Sequence, residues 1–430
     1  MMKERIAIID GIRTPMAPAG KDLKDIQADD LGVFPVREIL DRTSIDAKDI
    51  DEVIIGNVAQ PTHAANIARV IALKAGMPID MPAYTVHRNC ASGMQSITTG
   101  ALKILNGQAD IILAGGVESM SNIPFLYSEE MKNFFIRLSR SKGFFEKLGT
   151  LFSFRPGYLK PQIGVTQGLT DPVSGLIMGE TAEVLAREFH ITREEQDEFA
   201  LQSHNRALKA QEEGIFQDEI LPIPVKGAED GIMQKDSGPR PGQSMKKLAK
   251  LKPYFDRKNG TVTVGNSCPV TDGAAAVILM SETKAKELGY KPLGYLREFA
   301  YTAHDPSRMG LGPVFSTSKL LERSGASLKD FELIEMNEAF AAQMLANYRT
   351  FPSKEFAQRE LGRSEPLGEL DNDIVNVNGG AIALGHPVGM TGTRLVITVL
   401  KNLRRLKKNT GLATLCIGGG QGAALFLEIT

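Results

Sequence analysis

This chain of 430 residues has few cysteines, a net charge close to zero and no long apolar run. Its three cysteines, Cys90, Cys268 and Cys416, are too few for a disulfide framework, so each thiol is judged by its surroundings. The net charge of −1 gives no field that would attract nucleic acid, and no nucleic-acid partner is expected. No apolar run reaches the length of about 18 residues that suggests a membrane-spanning helix, and no secretory signal pattern is visible. We therefore expect a soluble protein in a reducing compartment, the cytoplasm.

Short apolar runs that alternate with helical patterns predict an α/β fold. Runs such as DEVIIGNV (51–58) and DIILAGGVE (110–118) are nearly continuous, which is typical of strands that helices cover on both faces. The run GTVTVGN (260–266) is predicted to be a strand as well. Helical patterns include 91–106 and 390–406, and the length of the chain indicates two or three structural units.

An internal repeat relates the two ends of the chain. Asn57 and Asn337 each lie near the end of a predicted strand, and further along each half Cys90 and His386 have Gly three and Met four residues later. The interval from Asn337 to His386 is longer than the interval from Asn57 to Cys90, and an insertion near 353–370 would explain the difference. We therefore predict two similar α/β halves, with Cys90 and His386 at equivalent junctions between a strand and a helix.

The domain division predicted from this repeat has three parts. Residues 1–121 and 261–284 form the N-terminal half, 122–260 form an inserted loop domain, and 285–430 form the C-terminal half. The stretch 131–160 within the insertion has seven Lys and Arg against one Glu, and six of the nineteen Phe. Such a segment can dock on a membrane surface or on a partner protein. The alternative is a helical hairpin that packs its Phe side chains inward.

Cys90 and His386 are the first two candidates for chemistry. Cys90 precedes a predicted helix, whose N-terminal partial charge stabilises a thiolate and thereby a nucleophile. The alternative is a buried structural cysteine, the usual state of a free thiol. His386 lies in a glycine-rich segment and could activate a thiol as a base, although a lone histidine is more often a hydrogen-bonded structural residue.

Cys416 and Asn337 are the next candidates. Cys416 ends a predicted strand and precedes three glycines, so it could transfer protons beside a first, nucleophilic thiol. Asn337 could orient a water molecule or donate to a carbonyl oxygen, and the alternative is the N-cap of a helix. The scattered histidines and cysteines lack metal-ligand spacing, so no metal site is expected.

Taken together, these segments resemble the thiolases over essentially the whole chain. NCASGM, NEAF, GGAIALGHPVGMTGTR and CIGGGQGAA occur in thiolase order. AGGVESMSNIP and KLAKLKPYFDRKNGTVT are similar to the thiolase (β) subunit of trifunctional fatty-acid oxidation complexes. The resemblance implies the thiolase fold: two pseudo-symmetric, five-layered α/β/α/β/α halves with an inserted loop domain.

The same resemblance implies a role for each matching residue. Cys90 would be the nucleophile that takes the acyl group as a thioester, and His386 would activate it. Cys416 would be the acid and base for the methyl carbon of acetyl-CoA or its enolate. Asn337 would hold a water that forms an oxyanion hole with His386, and the N–H groups of Cys90 and Gly418 would form a second one.

The substrate contacts that the resemblance implies involve three further residues. Met178 and Met309 would line the acyl pocket, and Cys268 stands where thiolases usually have a serine that contacts the pantetheine arm. Coenzyme A would be a co-substrate, with no tightly bound cofactor.

The activity that the resemblance implies is cleavage of 3-ketoacyl-CoA by CoA to acetyl-CoA and a shortened acyl-CoA, in fatty-acid β-oxidation. The rival is an acetoacetyl-CoA thiolase that works in the condensing direction, and a distant alternative is a non-catalytic lipid-binding protein. A homodimer or homotetramer is expected. The segment 131–160 would contact a hydratase/dehydrogenase α subunit or a membrane surface.

Overall fold

The computed structural model describes residues 4–430. Strands and helices alternate along most of the chain, as the sequence predicts. The strands are β1 (Ile6–Arg13), β2 (Ala17–Pro18), β3 (Glu52–Gly56), β4 (Ala83–Val86), β5 (Ile111–Ser119), β6 (Phe125–Leu126), β7 (Gln162–Ile163), β8 (Ile223–Pro224), β9 (Ile232–Met233), β10 (Thr271–Ser281), β11 (Gly294–Ala303), β12 (Leu333–Met336), β13 (Thr410–Ile417) and β14 (Gln421–Glu428). The α-helices are α1 (Ala28–Thr43), α2 (Ile67–Ala75), α3 (Ser92–Leu105), α4 (Glu129–Arg140), α5 (Phe144–Phe152), α6 (Gly164–Gly168), α7 (Met178–Glu188), α8 (Arg193–Glu212), α9 (Met245–Leu248), α10 (Glu282–Glu287), α11 (Gly312–Ser324), α12 (Ala341–Thr350), α13 (Lys354–Glu360), α14 (Ala381–Leu384) and α15 (Val388–Leu406).

The main sheet contains the same strand pattern twice. In the first half β3 pairs in parallel with β4 and β5, and β5, β10 and β1 then pair antiparallel in that order. In the second half β12 pairs in parallel with β13 and with an isolated bridge residue, Val375, and then β13, β14 and β11 pair antiparallel. Antiparallel pairing of β1 with β11 joins the two sets. The predicted internal repeat is confirmed, and α13 is an additional helix within the predicted insertion near 353–370.

Helices lie on both faces of these strands and complete five layers. Helices α1 and α2 pack on one face of the first set, α3 and α15 lie between the two sets, and α11 packs on the outer face of the second. Each strand sends alternate side chains to opposite faces, so Val277 of β10 enters the central cluster and Ile278 the outer one. The predicted α/β/α/β/α order is confirmed, and the two halves build these layers together.

The two central helices touch near their N-termini. Gly93 lies so close to α15 that an added Cβ would be 2.6 Å from Thr393 Oγ1, and this hydroxyl donates to the carbonyl of Gly93 at 3.2 Å. Helix α3 begins two residues after Cys90, and α15 begins two residues after His386. Close packing of the helix starts therefore brings the two predicted chemical residues to one region.

The predicted strand at 260–266 is wrong. The carboxylate of Glu183 accepts the backbone N–H groups of Thr261 and Val262 at 2.9 and 2.8 Å, and Asn266 Oδ1 accepts that of Thr263 at 2.7 Å. Side chains thus occupy the donors that a strand would use for a neighbouring strand. The segment forms a turn that leads into β10.

The chain separates into two compact units, one of the chain up to Asn122 together with Asp171–Thr430 and one of Ile123–Thr170. The second unit contains α4, α5, α6 and the β6–β7 pair. It is shorter than the predicted inserted domain of 122–260, and the division of the rest into halves at 121, 261 and 285 stays a prediction.

None of the helices in residues 4–430 combines the length and the hydropathy that a bilayer-spanning segment requires.

The second unit buries few of its aromatic side chains. Phe134 packs against Phe154 and Tyr158, with ring centroids 5.4 and 6.4 Å away, and is 5% exposed. The exposed Phe residues of 131–160 are Phe135, Phe144, Phe145 and Phe152. The alternative interpretation of 131–160, a helical hairpin with its Phe side chains packed inward, is therefore wrong for four of its six Phe residues.

Candidate active site

The turn that carries Cys90 is fixed by its neighbours. Asn89 has a left-handed backbone with φ 44°, which asparagine tolerates better than most residues. Ser92 Oγ accepts the N–H of Arg88 at 2.9 Å and donates to the carbonyl of Asn89 at 2.7 Å. Asn89 Nδ2 donates to the carbonyl of Gly418 at 2.8 Å. The Cys90 turn is thereby joined to the glycine loop that follows Cys416.

The environment of Cys90 keeps its thiol neutral at rest. Burial raises the pKa of Cys90, and the backbone N–H groups of Gly418 and of Cys90 itself oppose that shift. These two donors are the pair that the resemblance assigns to an oxyanion hole. A neutral thiol must give its proton to a base before it attacks a carbonyl, and this requirement favours the predicted role of His386.

The charge of Cys90 affects the pKa values of the other two cysteines of the chain. Burial and, to a smaller extent, the charge of a Cys90 thiolate raise the pKa of Cys268 to about 12. Burial also raises the pKa of Cys416, with contributions from the charges of both other cysteines. Cys416 is 1% exposed, while Cys90 and Cys268 are half-buried. The charge of a Cys90 thiolate thus reaches both other thiols, which places all three in one region.

The segment around Cys268 connects the Asn337 and His386 regions. The N–H of Cys268 donates to the carbonyl of Ala339 at 3.0 Å. Two residues later, Val270 forms an isolated parallel bridge with His386, and the N–H of His386 donates to Thr271 Oγ1 at 3.1 Å. The segment 268–271 thus connects the end of β12, which carries Asn337, with His386.

Hydrogen bonding fixes the tautomer of His386. Its Nδ1 lies 2.7 Å from Thr391 Oγ1, and that hydroxyl donates its single proton to the carbonyl of Pro387 at 2.9 Å. Thr391 must therefore accept from Nδ1–H, which leaves the lone pair of Nε2 free. Burial, together with the charge of Arg394, lowers the pKa of His386 to about 3. The imidazole is neutral at physiological pH, and Nε2, which has no hydrogen-bond partner in residues 4–430, is available as a base.

Asn337 has a side chain that is ready for a ligand. It lies just after β12, and its backbone N–H donates to the carbonyl of Thr414, two residues before Cys416. Its amide oxygen and nitrogen are buried and find no partner among the described residues. Helix α12 begins at Ala341 with Phe340 as its N-cap, so the N-cap interpretation of Asn337 is wrong. An unpartnered buried amide is costly and is retained where a substrate or water satisfies it.

Asn337→Ala is expected to lower kcat by about 10²–10³-fold, the usual effect of removing one oxyanion-hole group, with little change in thermal stability. No internal hydrogen bond is lost, because the side chain makes none in the described structure. Steady-state kinetics and a thermal melt measure the two effects.

The internal repeat supplies a matched control. Asn57 occupies the equivalent position, but its Nδ2 donates to the carbonyl of Val117 and to Glu118 Oε1 at 2.9 and 3.1 Å. Asn57→Ala should therefore lower the melting temperature, since a buried group left without its partner costs about 1–3 kcal/mol. Equal loss of stability in both variants would contradict a substrate-facing role for Asn337.

Met178 and Met309, which were predicted to line the acyl pocket, belong to or pack against the hydrophobic cluster that contains Cys416. Met178 begins α7, and its Sδ is 3.4 Å from the position that a Cβ on Gly418 would take. Met309 is buried in the hydrophobic cluster that also contains Cys416 and against which Met178 packs. The structure thus places Met178 beside the glycine loop, and a role in acyl binding stays a prediction for both.

Sequence reasoning missed three residues that position the site. Thr391 sets the tautomer of His386, and Asn89 ties the Cys90 turn to the Gly418 loop. Glu118 accepts the N–H of Gly389, near the start of α15, at 2.9 Å, and burial raises its pKa to about 7. Asn89 directly precedes the candidate cysteine and could have been found by its position. Thr391 and Glu118 leave no signal of their roles in the sequence, because their partners are set by the fold.

This arrangement of groups is suited to acyl transfer through a thioester. The thiol of Cys90 can act as a nucleophile, His386 Nε2 can act as its base, and two backbone N–H groups can bind a developing oxyanion. Cys416 is a second thiol that can carry a proton to or from carbon. In the described part of the chain no cluster of His, Cys, Asp or Glu could hold a metal ion.

The chain belongs to the thiolase family. The profile of the family described as "Thiolase, N-terminal domain" matches residues 6–283, and that of "Thiolase, C-terminal domain" matches residues 290–429. The fold and family implied by the sequence motifs are thereby confirmed, and the chain is an acyltransferase enzyme.

Relatives with assigned names resemble the chain over nearly its full length. The 3-ketoacyl-CoA thiolase of Serratia proteamaculans (strain 568) is 44% identical over 432 residues, which cover 99% of this chain and 97% of that protein. Among solved structures, Bacillus anthracis acetyl-CoA acetyltransferase is 40% identical with a TM-score of 0.86, and the match covers 99% of this chain and 98% of that one. Human mitochondrial 3-ketoacyl-CoA thiolase in complex with CoA is 37% identical with the same TM-score, and the match covers 100% of this chain and 99% of that one.

Proposed function

We propose that this enzyme cleaves 3-ketoacyl-CoA with CoA to acetyl-CoA and an acyl-CoA shortened by two carbons, in fatty-acid β-oxidation. The observation that supports the proposal is the close packing of α3 against α15, whose first turns follow Cys90 with the Gly418 N–H beside it and His386 with a free Nε2. The relatives named 3-ketoacyl-CoA thiolase support the substrate class, and the human structure in complex with CoA supports CoA as a co-substrate.

The first half-reaction forms an acyl-enzyme. His386 Nε2 takes the proton of Cys90, and the sulfur attacks the C3 carbonyl of the substrate. The oxyanion that develops is stabilised by hydrogen-bond donors in the site. The bond between C2 and C3 then breaks, its electron pair forms the enolate of acetyl-CoA, and Cys416 gives that enolate a proton. The Cys90 thioester and acetyl-CoA are the products.

The second half-reaction returns the enzyme to its resting state. The Cys416 thiolate takes the proton of an incoming CoA thiol, and the CoA sulfur attacks the thioester carbonyl. Collapse of the tetrahedral intermediate releases the shortened acyl-CoA, and the Cys90 thiolate regains its proton from His386.

The binding sites for the substrate are assigned as follows. We assign one oxyanion site to the N–H groups of Cys90 and Gly418, and the other to His386 with a water held by Asn337. Met178 and Met309 would line the acyl pocket, and Cys268 would contact the pantetheine arm.

CoA-dependent cleavage of a series of 3-ketoacyl-CoA substrates, from four carbons to sixteen, tests the substrate class. We expect kcat/KM to hold or rise with chain length, as a β-oxidation enzyme requires. Activity confined to acetoacetyl-CoA would favour the condensing enzyme instead, the activity named for the Bacillus anthracis structure. Acyl-CoA binding without any turnover would support the non-catalytic lipid-binding alternative. Cys90→Ala, prepared in the same way, provides the blank for contaminating activity.

The assembly and the location of the enzyme complete the proposal. We propose a cytoplasmic homodimer or homotetramer whose segment 131–160 contacts another surface. Both candidate surfaces, a hydratase/dehydrogenase subunit and a membrane, remain consistent with the reaction.

A further inference from the structure

The carboxylate of Glu118 connects the loop after β3 with the start of α15. It lies near the end of β5, is fully buried and accepts four hydrogen bonds. Asn57 Nδ2 and the N–H of Ala59 donate to Oε1 at 3.1 and 2.9 Å. The N–H groups of Val58 and Gly389 donate to Oε2 at 3.1 and 2.9 Å. All four donors are uncharged, and a protonated carboxyl would lose one of them, so the ionised form is the one these donors satisfy.

The hydrogen bond from Gly389 fixes the first turn of α15. A Cβ on Gly389 would lie 2.6 Å from the carbonyl oxygen of Val117 and 2.8 Å from Glu118 Oε2, so the helix backbone lies directly against the end of β5. His386 stands three residues before Gly389 in the chain. Loss of this hydrogen bond would therefore let the start of α15, and His386 with it, move relative to Cys90.

The charge of Glu118 also reaches Cys90. The carbonyl oxygen of Gly389 lies 3.0 Å from the position that a Cβ on Gly93 would take in the first turn of α3, so one backbone layer separates Glu118 from that helix start. Burial and, to a smaller extent, the charge of Glu118 raise the pKa of Cys90. Burial raises the pKa of Glu118 to about 7, so near pH 8 its carboxyl is mostly ionised. This charge opposes the helix end, which by itself would stabilise a thiolate.

The other titratable groups around Cys90 in the described part of the chain are uncharged near pH 8. Cys268 and Cys416 are thiols whose pKa values are raised by burial, and His386 is neutral because its pKa is about 3. A thiol that stays protonated at rest reacts slowly with alkylating agents. The thiolate that forms beside a carboxylate is in turn the stronger nucleophile, because nucleophilicity rises with the pKa of the thiol.

We propose that Glu118 is a positioning residue with two roles: it holds His386 in place through the start of α15, and its charge keeps the Cys90 thiol protonated until His386 takes the proton. The first role rests on the thiolysis proposed above. The second role is a property of the resting enzyme and is measured without substrate.

Two substitutions separate these roles. Glu118→Gln removes the charge and turns an NH₂ group toward two N–H donors, whereas Glu118→Asp keeps the charge on a side chain that is one CH₂ shorter. Alkylation by iodoacetamide without substrate, followed at Cys90 by peptide mass spectrometry as a function of pH, measures the charge. We expect Glu118→Gln to react about threefold or more faster near pH 8, with its midpoint at lower pH, and Glu118→Asp to react like the wild type.

Steady-state thiolysis measures the position of His386 in the same variants. We expect kcat to fall about tenfold or more in Glu118→Gln and in Glu118→Asp, because a displaced base transfers the proton less efficiently. The KM for the 3-ketoacyl-CoA should change less than about threefold, since Glu118 does not face the substrate.

Glu338→Gln is the matched control for the loss of a buried carboxylate. Glu338 is 2% exposed and also accepts from uncharged donors, including the hydroxyl of Ser203 at 2.6 Å and the amide of Asn376 at 2.9 Å. Its charge acts on the pKa of Cys268. Glu338→Gln should therefore lower the melting temperature as Glu118→Gln does, but it should leave the alkylation profile of Cys90 unchanged.

The proposal is overturned by any of three results. An unchanged Cys90 profile in Glu118→Gln, or the same change in Glu338→Gln, would remove the electrostatic role. Wild-type kcat in Glu118→Asp would remove the positioning role. If Glu118→Gln does not fold, Glu118→Asp carries the test alone, because it must lose kcat while it keeps the wild-type alkylation profile. Absence of thiolysis in the wild type would instead refute the proposed function and leave the alkylation result standing.

Discussion

Cys90→Ala is expected to lower kcat/KM for thiolysis by at least about 10⁴-fold, the scale on which enzymes lose activity with their nucleophile. Without the thiol no acyl-enzyme can form, and the remaining N–H groups have no covalent intermediate to stabilise. Intact-protein mass spectrometry after incubation with a 3-ketoacyl-CoA measures the effect directly. The wild type should gain the mass of the shortened acyl group, and the variant should gain nothing.

A matched substitution at another thiol of the site makes this result interpretable. Cys268 is half-buried and coupled to Cys90, but its N–H is bonded to Ala339, and burial raises its pKa to about 12. Cys268→Ser should therefore still become acylated, even where it changes the KM for CoA. Acylation of Cys90→Ala, or its loss in Cys268→Ser alone, would show that the nucleophile has been assigned to the wrong cysteine.

Cys416→Ser is expected to reduce proton exchange at the methyl carbon of acetyl-CoA by about 10²–10⁴-fold, the range attributed to a positioned acid or base. A serine hydroxyl is a far weaker acid than a thiol, while its size and its place at the end of β13 are similar. Exchange of deuterium from solvent into acetyl-CoA, followed by NMR, measures this step alone.

Acyl transfer that breaks no carbon–carbon bond provides the comparison for Cys416→Ser. The exchange of an acyl group between acyl-CoA and labelled CoA requires Cys90 and His386 but no carbanion. We expect this exchange to fall much less than deuterium incorporation does. An equal fall in both rates would assign Cys416 a structural part in the site rather than an acid and base role.

The pseudo-symmetry of the chain explains why local reasoning reached so much of the site. Cys90 and His386 were located because each stands shortly before a helix and has Gly and Met at the same spacing, and the structure places them before α3 and α15. Strand-length apolar runs similarly predicted β3, β5 and β13, since their side chains are buried on both faces. The run at 260–266 failed because Glu183, distant in sequence, binds its N–H groups.

The sequence by itself determined the α/β class, the twofold repeat and the identity of Cys90, His386, Cys416 and Asn337 as the groups worth testing. These features depend on neighbours a few residues away, whose patterns can be read directly. Only the tertiary structure decided that Nε2 of His386 is free, because Thr391 and Pro387 fix the tautomer. It also decided which thiols are neutral and which Phe residues are exposed, because burial depends on how segments far apart in the chain pack together.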